Sequence, residues 1–137
     1  MQDVREIGEE EAKLAIDLIV GELKRRGKVA VIAVGDRHGE LIALWRMNGA
    51  PLSSVTIATN KAFTAARERK PSGDVGRGSR AHGWDISYLG DPRYVGWDGG
   101  IPVMIAGEVA GAVAVSGLPG EEDAELAGMA AKKIAEV

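Results

Sequence analysis

The stretch GGIPVMIAGEVAGAVAVSG, residues 99–117, decides how the chain is read. Two apolar runs, IPVMIA (101–106) and VAGAVAVS (109–116), flank Gly107-Glu108, a two-residue link with hairpin chemistry. Side chains alternate across a strand. Ala110, Ala112 and Ala114 therefore fall on one face, and Val109, Gly111, Val113 and Val115 on the other. One face is small and the other mostly branched. Glycine weakens a strand interior, so each glycine here needs a reason. A turn explains Gly107, and the close approach of a helix to the sheet explains Gly111. Gly99, Gly100 and Gly117 lie at strand ends, where missing side chains leave backbone N–H groups open to a ligand or another subunit.

Outward from this hairpin, Pro119-Gly120 leads into a helix with Ala124, Ala127, Ala131 and Ile134 inward, acids at its start and Lys132 and Lys133 near its end. At the other end of the chain, Ala12, Ala15, Ile16, Ile19 and Leu23 recur at helical spacing, with Gly27 as the stop. VAVIAV (29–34) and LIALWRM (41–47) are strands joined by the turn GDRHGE (35–40). A helix capped by Ser53 or Ser54 follows, with the shallow stripe Val55, Ala58, Ala62 and Ala65, and Pro71 closes it. Residues 71–93 carry no sustained period and read as a long loop holding one short helical turn. The order helix, hairpin, helix, loop, hairpin, helix predicts an α+β domain spanning residues 1–137, with helices packed on an antiparallel sheet.

Composition narrows the function. With 137 residues, 45% hydrophobic and 27% charged, the chain reads as an ordinary globule that folds without a disulfide or structural metal. It has no cysteine, which excludes thiolate zinc sites and cysteine nucleophiles and fits a cytoplasmic protein. No run is long enough to cross a bilayer, and Met-Gln-Asp-Val-Arg-Glu opens no signal peptide. A net charge of -3 argues against nucleic acid as a partner. Arg67, Arg69, Lys70, Arg77 and Arg80 nevertheless outnumber Glu68 and Asp74 locally. They form either a solvated segment or a basic rim for a small anion. No HExxH-like spacing and no GxSxG elbow occurs, so neither a zinc site nor a serine triad is expected.

Taken together, the first hairpin, the alanine-rich helix SVTIATNKAFTAARERKPS and the 99–117 hairpin followed by EEDAELA resemble the GlcG/HbpS-like haem-degrading domain family, which includes the C-terminal domain of PduO-type proteins. The resemblance runs from about Ala12 to Ile134. Its most specific pieces are Gly99-Gly100-Ile101-Pro102, GAVAVSG, and Asp123 with Ala127 beyond it. It implies a profilin-like antiparallel sheet flanked by helices, assembly as a homo-oligomer and, in some members, haem as ligand. It carries over no axial residue.

Haem ligation takes an axial His, Met or Tyr. The chain has two histidines. His38 sits in a hairpin turn and reads as a surface group. His82 lies in the long loop beside Trp84, with Tyr88 and Tyr94 downstream and Arg77 and Arg80 upstream to meet propionates. A pocket between the 71–100 loop and the sheet would thus be walled by Trp84 and Trp97 and floored by Gly99, Gly100 and Gly117. Trp45, on a strand, is read as core or subunit contact. Asp123 opens the last helix, where the dipole favours an acid. At a pocket it would serve as polar anchor and, with His82, Tyr88 or Tyr94, as an acid–base pair. Three functions follow: a homo-oligomer binding haem or another flat or small anionic ligand, a lyase or isomerase-like enzyme on a small carboxylate or aromatic substrate, and a non-catalytic accessory subunit.

Overall fold

The 99–117 segment forms the expected hairpin, with strands β3 (Gly100–Ile105) and β4 (Glu108–Ser116), in a computed structural model that describes residues 1–137. The turn sits one residue earlier than the link read from the sequence. Ala106 and Gly107 both take positive φ, 52° and 80°, as the tight primed turns of twisted hairpins require. A bulge also interrupts the alternation: Val103 faces Gly111 but Met104 faces Val109, leaving Ala110 without an opposite residue. Ala110 therefore joins Val113 and Val115 on one face, and Val109 joins Ala112 and Ala114 on the other. That is the reverse of the alternation expected for these two residues.

The remaining elements follow the expected order. They are α1 (Glu9–Arg26), β1 (Val31–Gly35), β2 (Leu41–Arg46), α2 (Ser54–Glu68) and, after the long connection, the hairpin and α4 (Gly120–Ala135). The sheet is antiparallel throughout in the order β2-β1-β4-β3. The connection is more ordered than its composition suggests. It holds an eleven-residue helix, α3 (Ser72–His82), and a 3-10 turn at Ile86–Leu89. Its glycines hide it from a propensity reading and are the reason it fits, because a Cβ at Gly73 would collide with the Asp98 carboxylate and one at Gly76 with the backbone of Gly96.

The two sheet faces differ as expected. Ile32, Val34, Val113 and Val115 pack against α1 and α4 through Ile16, Ile19, Leu23, Leu126 and Ile134, all buried. Val31, Ala33, Ala112 and Ala114 meet the alanines of α2, so that helix lies close to the sheet. Removing one of the large branched side chains from the first face is worth about 2–5 kcal/mol. Gly111 is covered by the N-terminal segment rather than by a helix: the Ile7 side chain fills the place of its Cβ, and the Ile7 N–H donates to the Ala110 carbonyl at 2.9 Å. Neither Ser53 nor Ser54 caps α2 through its side chain. Ser54 is buried and accepts a hydrogen bond from Ser116 Oγ at 3.1 Å.

Candidate functional site

The strand-end glycines do not open onto a ligand space, because Lys61 of α2 occupies it. Its Nζ donates to the Val115 carbonyl and to Asp123 Oδ2, each at 3.1 Å, and both charged side chains are only 3% exposed. Asp123 Oδ1 accepts the Leu118 N–H at 3.1 Å. A Cβ at Gly99 would stand 2.5 Å from the Val115 oxygen and 2.7 Å from Lys61 Nζ. One at Gly100 would strike the Lys61 carbonyl, and the Gly100 N–H is already given to Ser72 Oγ at 2.9 Å. Gly117 lies against Ala30 and Pro51. The glycines thus make room for a buried lysine. Burial raises the Asp123 carboxyl above the usual carboxylate range, while the Lys61 charge and the Leu118 N–H pull it down. Asp123 is therefore one half of a buried ion pair rather than a carboxylate facing an open pocket.

Lys61 escaped the sequence reading, yet a signal was present. It stands three residues after Ala58 and one before Ala62, on the edge of the buried alanine stripe, where a solvated lysine has no place.

The other expected site residues do not converge. Arg77 is spent on Asp74 and Asp98, at 2.7 and 3.0 Å, which hold its guanidinium even more firmly protonated than usual. Arg80 and His82 are exposed at the end of α3. Trp84 is half-buried, its backbone tied to Ser79. Trp97 is 61% and Tyr88 82% exposed, and Trp45 is 52% exposed rather than core. Of the loop residues singled out, Tyr94 alone reaches the large cavity.

That cavity, of about 990 Å³, lies at the opposite end of the sheet. Three elements meet there: the β1–β2 turn, the C-terminal end of α2 and the β3–β4 hairpin. The Asp36 carboxylate shapes the turn by accepting the N–H groups of His38 and Glu40 at 2.8 and 3.0 Å, so His38 stands at the cavity wall. From α2 come Arg67 and Arg69, the latter ending the helix in the left-handed region at φ 59°. Arginine seldom adopts that conformation. Tyr94 packs edge-on to Phe63 with centroids 5.1 Å apart. The Arg93 guanidinium covers the same ring at 3.9 Å and the Arg67 guanidinium lies 4.9 Å from its centroid. Met104 and Val109 add an apolar wall, and two acids, Asp3 and Glu108, also line the cavity.

The electrostatics are lopsided. Arg37, Arg67 and Arg69 all line this cavity, and none takes part in an ion pair. Arg37 instead places Nη1 3.2 Å from His38 Nε2. A basic concavity with a His, a Tyr and a Met at hand can hold an anion and present a soft or nitrogenous donor. Arg67 and Arg69, two members of the basic cluster in the sequence, line this cavity, and Arg37 joins them across it.

Comparison with known proteins agrees with this architecture. An uncharacterized 15.0 kDa protein from the dhaT-dhaS intergenic region of Citrobacter freundii is 36% identical over 101 residues, covering 71% of this chain and 70% of its own. The crystal structure of the Klebsiella pneumoniae protein ORFY superposes with a TM-score of 0.88 at 28% identity, over 100% of this chain and 95% of that one. The crystal structure of a PduOC–haem complex shares the fold, with a TM-score of 0.82 at 23% identity over 96% and 95% of the two chains. No helix is long and apolar enough to cross a membrane. The family model for the haem-degrading protein HbpS and its relatives matches residues 7–132, and the chain belongs to that HbpS-like family.

Proposed function

We propose that the protein binds haem, or a closely similar flat dianionic ligand, in the cavity at the β1–β2 turn. One observation carries the reading: Arg37, Arg67 and Arg69 line the cavity with none of them in a salt bridge, against two lining acids, Asp3 and Glu108. Arg37 is half-buried and Arg67 and Arg69 are exposed, so three guanidinium groups face the open cavity where an entering anion can take charge-assisted hydrogen bonds from them. The residues fit haem in kind. The guanidinium groups match propionates, Val109, Ala66 and Met104 offer apolar contact, and His38, Tyr94 and Met104 are the side-chain types that serve as axial donors. The volume is that of an ordinary ligand pocket. A haem iron held there supplies ligand exchange and electron transfer, and the chain's part is to bind, orient and shield. Haem in the PduOC complex, which shares the fold, and the family's description lend support.

His38 thus takes the role first given to His82. An enzyme acting through Asp123 has less support, since Lys61 already occupies that carboxylate. Assembly as a homo-oligomer belongs to the same proposal, with the exposed Trp45, Trp97, Tyr88 and Leu52 as the apolar surface it would cover. Light scattering on a size-exclusion column reads the oligomer directly.

The ligand test is a titration with ferric hemin, followed at the Soret band, and with metal-free protoporphyrin IX, followed by its own fluorescence. Replacing Arg67 and Arg69 together by Met removes charge-assisted hydrogen bonds worth about 1.5–3 kcal/mol each. Affinity for both porphyrins should fall at least tenfold. Unchanged affinity in that double variant overturns the assignment of the cavity.

A further inference from the structure

Resting on that reading of the cavity, we infer that Arg37 is a positioning residue: it presets His38 as a donor and surrenders it only to an anionic ligand. The two side chains share one bond, Arg37 Nη1 to His38 Nε2 at 3.2 Å. A guanidinium has donors and no acceptor, so the bond exists only if Nε2 is the unprotonated nitrogen. In this contact Nε2 is the accepting nitrogen, which leaves Nδ1 as the one to carry the ring proton. The lone pair held by Arg37 is the one that ligation through Nε2 would use. Arg37 thus favours the tautomer that ligates through Nε2 and covers that atom.

The surroundings make this an exchange rather than a fixed contact. The backbone of the turn is pinned: the Asp36 carboxylate accepts the His38 and Glu40 N–H groups, and the Arg37 N–H donates to Glu6 Oε2 at 3.2 Å. What remains free is the Arg37 side chain, whose bond to His38 is its sole side-chain hydrogen bond and which has no carboxylate partner. A ligand carboxylate entering beside Arg67 and Arg69 offers that guanidinium a bidentate, charge-assisted bond, about twice as strong as one to a neutral acceptor. Arg37 swings to the carboxylate and the Nε2 lone pair is bared in the same event. Anion recognition and donor presentation are coupled through one side chain.

The first test needs no ligand. Nitrogen-15 NMR of the imidazole ring, in a His82→Ala background that leaves His38 as the single histidine, should show the Nδ1–H tautomer, and Arg37→Met should shift the ring towards the Nε2–H form. The second test compares ferric hemin with its dimethyl ester, which lacks the carboxylates, in the wild type, Arg37→Met and His38→Ala. Wild-type protein should give the absorption signature of histidine ligation with hemin and at least a tenfold smaller fraction of it with bound ester. Arg37→Met should ligate both alike, and His38→Ala neither. Equal ligation of hemin and ester by the wild type, or discrimination that survives Arg37→Met, overturns the inference while leaving the cavity as a porphyrin site. Absence of any porphyrin binding removes the cavity reading as well.

Discussion

Breaking the Lys61–Asp123 pair from one side should unfold the protein far more readily than replacing both partners. Both side chains are 3% exposed, and the ammonium has two acceptors, Asp123 Oδ2 and the Val115 carbonyl. Asp123→Ala leaves an ammonium in the interior with one neutral acceptor, and it orphans the Leu118 N–H. A buried charge stripped of its partner costs about 3–5 kcal/mol. For a chain of 137 residues that corresponds to a fall in Tm of about 10–17 °C. Lys61→Met costs less, because the carboxyl left behind, already raised by burial, can take up a proton. The double variant Lys61→Met/Asp123→Leu should stand within about 1–2 kcal/mol of wild type, since apolar replacement of a buried pair is often near neutral. Urea denaturation followed by circular dichroism gives all four corners of the cycle. If Asp123→Ala costs under 1 kcal/mol, or if the two single effects simply add, the pair is solvated and the account of Gly99 and Gly100 fails with it.

The other predictions use different parts of the fold. Gly100→Ala drives a methyl into the Lys61 carbonyl, a backbone atom that cannot turn aside, and should cost more than about 1–3 kcal/mol in the same denaturation assay. Ile7→Ala removes the side chain that covers Gly111 and should cost about 2–5 kcal/mol, with faster amide exchange at Ala12 and Ala15 of α1, its neighbours in the core. Glu22 is held down to about 2 by hydrogen bonds from Arg25 and then Arg26. Its folded pKa is below the unfolded 4.5, so its contribution is present above pH 4.5 and is lost as pH falls towards 2. Glu22→Gln should accordingly flatten the stability curve between those limits and leave it unchanged in shape above pH 6, as read by Tm against pH.

How far the sequence could be read depended on where each signal was stored. α1 declared itself by apolar spacing, charges and Gly27, and β1 by an unbroken apolar run, because those signals are local. α3 stayed hidden because its reason for being helical is not in its own residues. Three glycines in eleven lower its propensity, and what holds it is contact with Asp98 and Gly96, some twenty residues on. The bulge at Ala110 was hidden for a similar reason: one residue inserted against Val103 and Met104 reverses the pleat without changing the composition. Among the residues singled out, Tyr94 was read as a partner of His82, and Arg67 and Arg69 only as part of a basic cluster; the structure brings the three to one cavity. Arg37 and His38 were not weighed with them, since nothing local says that a hairpin turn at residue 36 meets the end of a helix at residue 69.

The contrast between the filled space at the strand-end glycines and the cavity proposed as the ligand site has a single physical origin in α2. Along its first three turns, small side chains at Ala58 and Ala62 let the helix settle close to Ala112 and Ala114, and there is no space left at that end for anything but Lys61, which itself fits only because residues 99 and 100 lack side chains. Further along, Phe63 and Arg67 are large, Gly39 packs directly on the Phe63 backbone, and Arg93 and Tyr94 gather around the ring. Bulk at this end fills the near side and leaves the far side, beyond Ala66, to the turn and the hairpin, which is where the cavity opens. Glycines therefore mark the tight end of the helix and arginines the wide end. In a sheet with one small-residue face, close packing consumes the room that glycine makes, and open space is left where the side chains are bulky.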